Sequence, residues 1–254
     1  MLSIITLIYG LLAGIATGLG ALISIAIKNL TNKILSISLG FASGIMIGIS
    51  TLSLIPSSIE TGSIYTAVLG FICGGLFLFI IDISMPHVHK SESKCSGKAQ
   101  CAVNPISQDE CSQFAKMGYF IAFGIALHNL PEGIAIGASS GISEQMGFFT
   151  ALTIGLHNIA EGLCVAMPLC MGKIRKRRVV FITTFTGLST LVGTFLGLLF
   201  GMISPLFISF SLAFAAGAMI YISSDELIPK SHSSHSEFAN IGIMAGFVVA
   251  LFMP

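Results

Sequence analysis

The chain has 254 residues, of which 54% are hydrophobic and 9% charged, with mean hydropathy +0.94. Soluble domains carry about 25% charged residues because their surface faces water, so a globular cytosolic enzyme is excluded. A formal net charge of +1 with no basic stripe argues equally against a nucleic-acid partner.

A bilayer-spanning helix needs about 20 mainly apolar residues. Eight such runs follow one another at 4–27, 34–55, 64–85, 117–139, 146–170, 179–203, 206–228 and 237–254. They predict an all-α membrane protein, one polytopic domain over 1–254, with short connections apart from a polar stretch at about 86–116. The first run has no basic residues before it and is long enough to span, so it reads as a retained helix and not a cleaved signal. All 12 basic residues fall in alternate connections. Lys28 and Lys33 lie between helices 1 and 2, and Lys90, Lys94, Lys98 and Lys116 between 3 and 4. Lys173, Arg175, Lys176, Arg177 and Arg178 lie between 5 and 6, and Lys230 between 7 and 8. The positive-inside rule then predicts cytoplasmic odd-numbered connections, both termini outside, and a multi-pass protein of the cell (inner) membrane.

Helix 2 carries SLGFASGIMI at 38–47 and ends in Leu54-Ile55-Pro56; helix 7 carries SLAFAAGAMI at 211–220 and ends in Leu227-Ile228-Pro229. Position 38 answers to 211 and position 56 to 229, so the offset between the two is constant. Between helices that cross in opposite directions, this predicts an inverted repeat of helices 1–3 and 6–8 around a central 4/5 pair. Small-residue ladders at Gly10, Gly14, Gly18 and at Gly193, Gly197, Gly201 accompany it, although glycine ladders alone also serve close packing.

Helix 4 carries His128-Asn129-Leu130-Pro131-Glu132-Gly133 and helix 5 carries His157-Asn158-Ile159-Ala160-Glu161-Gly162. Each motif falls near the middle of its span, where an ionisable side chain costs about 2.5–3.5 kcal/mol on insertion scales. The i, i+4 spacing puts His and Glu on one helix face, so two imidazoles and two carboxylates are expected to share one buried volume. Two close carboxylates repel; a divalent cation balances them while neutral imidazole supplies nitrogen. Such donors suit zinc, iron, manganese, cobalt, nickel or cadmium. Pro131 removes a backbone donor and leaves the Leu127 carbonyl without its usual partner.

HNLPEG followed by HNIAEG in an eight-span chain resembles the ZIP family of divalent metal transporters, in particular the bacterial zinc-uptake type of the GufA-like branch. The resemblance implies a homodimer in which helices 1, 4, 5 and 6 move against helices 2, 3, 7 and 8. It implies a principal metal site at His128, Glu132, His157 and Glu161, with Asn129 and Asn158 lining an adjacent second one. Thr190 stands where many bacterial relatives of that type carry a ligand Glu, which leaves one or two metals per site open.

Asp82, Asp225 and Glu226 gather acidic charge at the inner ends of helices 3 and 7. The resemblance makes them an exit path, while carboxylates at helix ends also simply face headgroup water. His87, His89, Cys95, Cys101 and Cys111 in loop 3–4, with His232 and His235 in loop 7–8, are either low-affinity capture groups for emerging metal or parts of polar linkers. The cysteine spacings match no zinc-finger pattern; in a reducing cytoplasm these cysteines are expected as thiols. Cys73, Cys164 and Cys170 lie within spans and read as packing residues.

The expectation is therefore import of a divalent metal, zinc first, by alternating access, with the metal as substrate and no organic cofactor. No Walker motif occurs, so no ATPase subunit is implied. The alternatives are an intramembrane hydrolase that uses the same ligands to activate water, against which stands the absence of HExxH, and a metal sensor without flux.

Overall fold

The computed structural model describes residues 2–27, 30–84, 107–200 and 204–253. Lys28, His87, His89, Lys90, Lys94, Cys95, Lys98, Cys101 and Gly201, named above, lie outside the described residues. The helices are α1 (Leu2–Ala26), α2 (Asn32–Thr61), α3 (Ile64–Ser84), α4 (Gln108–Ile142), α5 (Glu144–Met171) and α6 (Lys176–Phe200), followed by a helical stretch Pro205–Ala250. Among the described residues seven helices are long and apolar enough to cross a membrane, and the last is 46 residues long.

That last helix is two spans. His235 has φ −171° and ψ 102°, extended values that end one helix and begin another. We call the arms α7 (205–234) and α8 (236–250). Their directions follow from their neighbours. On α2, Gly40 and Gly44 pack against Ala239 and Ile243, and Gly48 against Ala250, so α2 and α8 run parallel. Ser58 of α2 meets Ser209 of α7 while Ser50 meets Met219, so α2 and α7 run antiparallel. The chain thus reverses at His235, and eight crossings result, as the apolar runs predict.

The inverted repeat recurs at the level of single bonds. Ser36 Oγ donates to the Ser231 carbonyl at 2.8 Å, and its counterpart in the second half, Ser209, donates to the Ser58 carbonyl at 2.8 Å. Both α2 and α7 contain one wide π turn, Ser50–Leu54 and Ser223–Leu227, separated by the same offset. The prolines explain them. Pro56 and Pro229 have no N–H and their rings crowd the carbonyl four residues back. The helix widens before each, so that Ile55 N–H reaches Ser50 O and Ile228 N–H reaches Ser223 O. The α2 helix therefore continues past Pro56 to Thr61 rather than ending at 55.

The glycine ladders are not each other's counterparts. Gly10, Gly14 and Gly18 face Thr194, Gly187 and Thr184 of α6, whereas Gly193 and Gly197 face Leu130 and Ile134 of α4. The symmetric contact is Gly14 on Gly187, where each glycine lies on the other's carbonyl oxygen and the two positions are equivalent under the repeat.

Two boundaries shift at helix starts. The α4 helix begins at Gln108, so the polar connection is shorter than 86–116. Ser107 caps it by accepting from Glu110 N at 3.2 Å, and Glu110 Oε2 accepts from Ser107 N at 2.9 Å, a reciprocal capping box. Ser107→Ala is expected to destabilise this first turn by about 1 kcal/mol. Faster hydrogen exchange confined to residues near 108–112, with metal uptake unchanged, would be the signature. Cys111, buried just inside this start, is disulfide-bonded, which corrects the expectation of a thiol there. Cys73 and Cys164 are free thiols, and Cys164 and Cys170 pack in the main core cluster.

The bundle is turned inside out relative to a soluble protein. On α1 the large side chains Ile4, Ile8, Leu12, Ile15, Leu19 and Leu22 form an exposed stripe at helical spacing. Thr, Ser, Asn, His and Glu side chains lie inside. Apolar surface outside and polar groups satisfied or gathered inside is what hydrocarbon demands. This is a multi-pass membrane protein. Its described basic residues collect at one end. There Lys230 lies over Phe114 at the start of α4, Arg178 over Tyr119, and Lys33 over Phe238 at the start of α8.

Candidate metal site

The α4 and α5 helices pack antiparallel, with Gly118 against Leu169 at one end and Ser140 against Gly147 at the other. That register sets His128–Glu132 beside His157–Glu161, and all four residues are at most 1% exposed. Nε2 of His128 lies 2.7 Å from Glu161 Oε1, and Nε2 of His157 lies 3.0 Å from Glu132 Oε1. The contacts along each helix are longer, 3.7 Å for His128–Glu132 and 3.8 Å for His157–Glu161. The result is a closed ring in which each histidine meets both carboxylates.

These spacings decide what the ring can hold. Zinc bonds to nitrogen and oxygen at about 2.0–2.2 Å, so tetrahedral ligand atoms stand roughly 3.3–3.6 Å apart. The four observed separations bracket that interval. One ligand atom each from His128, Glu132 and Glu161 lies within 4.8 Å of the other two. Further capacity stands behind them, since Glu132 Oε2, Glu161 Oε2 and His128 Nδ1 are buried with no hydrogen-bond partner among the described residues. Buried polar atoms without partners are uncommon and costly. Nitrogen and carboxylate donors converging in one dry volume suit a divalent cation.

Glycine brings the neighbouring helices close. Gly162 of α5, next to Glu161, rests on the Thr17 carbonyl of α1, and Gly133 of α4, next to Glu132, rests on the Thr190 carbonyl of α6. The two arrangements are related by the repeat, because Thr17 and Thr190 stand at the offset that relates Gly14 to Gly187. Thr17, Thr183 and Thr190 are fully buried and their hydroxyls have no partner among the described residues. Thr17 and Thr183 escape notice as residues in apolar runs; the repeat offset from Thr190 points to the first.

The remaining predicted residues divide. Asn158 Nδ2 donates to the Ala13 carbonyl at 2.9 Å, whereas neither amide atom of Asn129 has a partner among the described residues. Asp82, Asp225 and Glu226 do come together, with one carboxylate oxygen from each within 4.8 Å of the others, and Tyr221 donates to Asp82 Oδ2 at 3.3 Å. The His232 ring is engaged on both sides, by the Ile228 carbonyl and by Asn240 Oδ1, each at 3.0 Å. The His235 ring packs edge-on against Phe238 at the α7–α8 turn.

An inverted helical repeat wrapped around a buried ring of two histidines and two glutamates defines a secondary transporter for a metal cation. The chain belongs to the ZIP zinc transporter family, whose model matches residues 1–254. Among its relatives, the zinc transporter ZupT of Chlorobium luteolum is 32% identical over 256 residues, covering 96% of this chain and 94% of the relative. ZupT of Corynebacterium glutamicum is 35% identical over 251 residues, covering 94% of each chain. The zinc transporter GufA of Myxococcus xanthus is 34% identical over 260 residues, covering 97% of this chain and 96% of the relative. Membership in a family of transporters sets aside the hydrolase alternative.

Proposed function

We propose that this chain imports a divalent metal, zinc foremost, through the inner membrane into the cytoplasm, and that His128, Glu132, His157 and Glu161 are its transport site. The observation that carries this reading is the closed His/Glu ring between α4 and α5, buried at mid-span with two imidazoles and two carboxylates facing one another within 4 Å. The names of the relatives favour zinc among the metals the ring suits. The end of the bundle that carries the described basic residues is the cytoplasmic one by the positive-inside rule, which puts the Asp82–Asp225–Glu226 group on the exit side. The working assembly is a homodimer, open to a direct mass measurement in detergent.

The cross-helix contacts set the pH dependence. A proton shared between each His Nε2 and the facing Glu Oε1 occupies the same lone pairs that a metal takes, so metal entry must release protons. Uptake of radioactive zinc by proteoliposomes is therefore expected to rise with external pH and fall as the outside is acidified, through a higher KM at low pH. Vesicles holding the protein that take up no more zinc than protein-free vesicles at any pH would overturn the import reading. A KM that did not change with pH would remove the proton competition.

A further inference from the structure

An apolar layer separates the His/Glu ring from the acidic group at the basic end of the bundle. On α4, Gly124 precedes His128 by four residues and so shares its helix face, one turn nearer that end. Ile222 of α7 fills the space beside it. A Cβ at Gly124 would overlap Ile222 Cδ1 and lie 3.2 Å from its Cγ1. Ile121 and Ile125, which flank Gly124 on α4, are fully buried, as is Ile222. The residue before the plug, Tyr221, donates to Asp82 Oδ2 at 3.3 Å, and Asp225 and Glu226 follow on the same helix. An ion that leaves the ring for these carboxylates meets Ile222 on the way. A hydrophobic constriction excludes a hydrated ion until it is parted.

The seat at Gly124 is present on one side of the membrane only. Under the repeat Ile222 matches Ile49 of α2, whereas Gly124 matches Thr153 of α5, which carries a Cβ of its own. The isoleucine is kept on both sides; the notch that receives it is not. A glycine inside a helix weakens it, so the bare backbone at 124 serves the close approach of α7. The helix also changes character directly after the plug. The π turn Ser223–Leu227 joins the arm that carries Ile222 to the segment that carries the acids. Such wide turns interrupt the regular ladder and recur at functional sites.

We propose that Ile222, seated on Gly124, is the cytoplasmic gate of the transport path. The seat latches the inside-closed state, and the ion reaches Asp82, Asp225 and Glu226 only when α4 and α7 part and Ile222 leaves it. With Thr153 in place of a seat on the outer side, the latch holds the cytoplasmic route alone. This rests on the reading of the ring as the transport site and of the basic end as cytoplasmic. Moving one methyl group across the contact tests the fit. Ile222→Val removes Cδ1 and leaves the seat hollow, while Gly124→Ala fills the seat against Cδ1. Each single change therefore favours the open state. The double variant carries the methyl on α4 instead of α7 and closes the gate again.

Cys164 reports on the gate. It is a fully buried free thiol on α5, three residues beyond Glu161 towards the cytoplasmic end. A cationic, membrane-impermeant methanethiosulfonate is applied without metal to inverted vesicles and to spheroplasts of an expressing bacterium, and its rate at Cys164 is read by peptide mass. From the cytoplasmic face each single variant should react about fivefold faster than the native chain, the order by which one buried methyl shifts an equilibrium. The Gly124→Ala/Ile222→Val double variant should return close to the native rate, and labelling from the external face should not change. Single variants that react at the native rate overturn the proposal, as does a rise equal from both faces or one that tracks the unfolded fraction in a thermal melt. A double variant faster than either single overturns it too. Zinc uptake by Glu132→Gln/Glu161→Gln separates the two levels. Native uptake there removes the ring as the transport site, whereas the labelling pattern, read without metal, decides the role of Ile222.

Discussion

Replacing Glu132 and Glu161 together by alanine is expected to abolish metal uptake, with a loss of about a hundredfold or more. The two carboxylates are the acids of the ring and both are buried. Without them a divalent cation enters a low-dielectric site with neutral imidazole alone, and an uncompensated buried charge costs several kcal/mol. A factor of ten corresponds to about 1.4 kcal/mol, so two missing charges exceed a hundredfold readily. Each single variant keeps one carboxylate facing both histidines, because Glu132 and Glu161 each lie within 4 Å of His128 and His157. Single losses are therefore smaller than the double loss. The glutamine pair provides the folding control, since it keeps shape and hydrogen-bonding atoms while removing charge. Radioactive zinc uptake in proteoliposomes checks this, normalised to protein that elutes as a single species. Uptake at the native rate in the glutamine pair would place the transport site elsewhere.

How much of this was legible beforehand differs by kind of signal. The ring was legible because ionisable residues in mid-span are expensive and because the motif is duplicated, so chemistry and pattern agree. The repeat of α2 and α7 was legible through its constant offset, but its physical content was not. Proline usually ends or bends a helix, and nothing in a hydropathy pattern says that Pro56 and Pro229 are met by a π turn that lets the helix run on. The start of α4 is hidden from a hydropathy pattern for another reason. Counting apolar residues finds the part of a helix that sits in lipid, whereas α4 extends beyond it to a capping box at Ser107 and Glu110. Threonines in apolar runs carry no inward or outward label, which hid Thr17 and Thr183. Spacing alone makes the glycine ladders visible, and spacing cannot say which helix a glycine faces. Gly193 faces α4, not α1.

Those glycine contacts carry the second large effect. Gly133→Ala and Gly162→Ala are each expected to remove most uptake although neither touches a ligand atom. A Cβ at Gly162 would overlap the Thr17 carbonyl and one at Gly133 the Thr190 carbonyl. Both obstacles are backbone, so no rotamer change relieves them, and the helices must separate. Overpacking of this kind costs about 1–3 kcal/mol, which a thermal melt in micelles detects. The functional cost is larger than the stability cost, because each glycine follows a ring glutamate directly. Moving α5 off α1 carries Glu161 away from His128, now 2.7 Å distant, and strains the Asn158 bond to Ala13. Moving α4 off α6 does the same to Glu132 and His157, now 3.0 Å apart. Ring geometry tolerates little of this, since an angstrom of displacement in a positioned site costs orders of magnitude. An informative control is Gly75→Ala. Its added Cβ would meet nothing nearer than the Gly217 carbonyl at 3.7 Å, an ordinary contact on α3 away from the ring. That variant should melt and transport like the native protein. If Gly133→Ala and Gly162→Ala did so too, the close approach of α1 and α6 would not be what holds the His/Glu ring in shape.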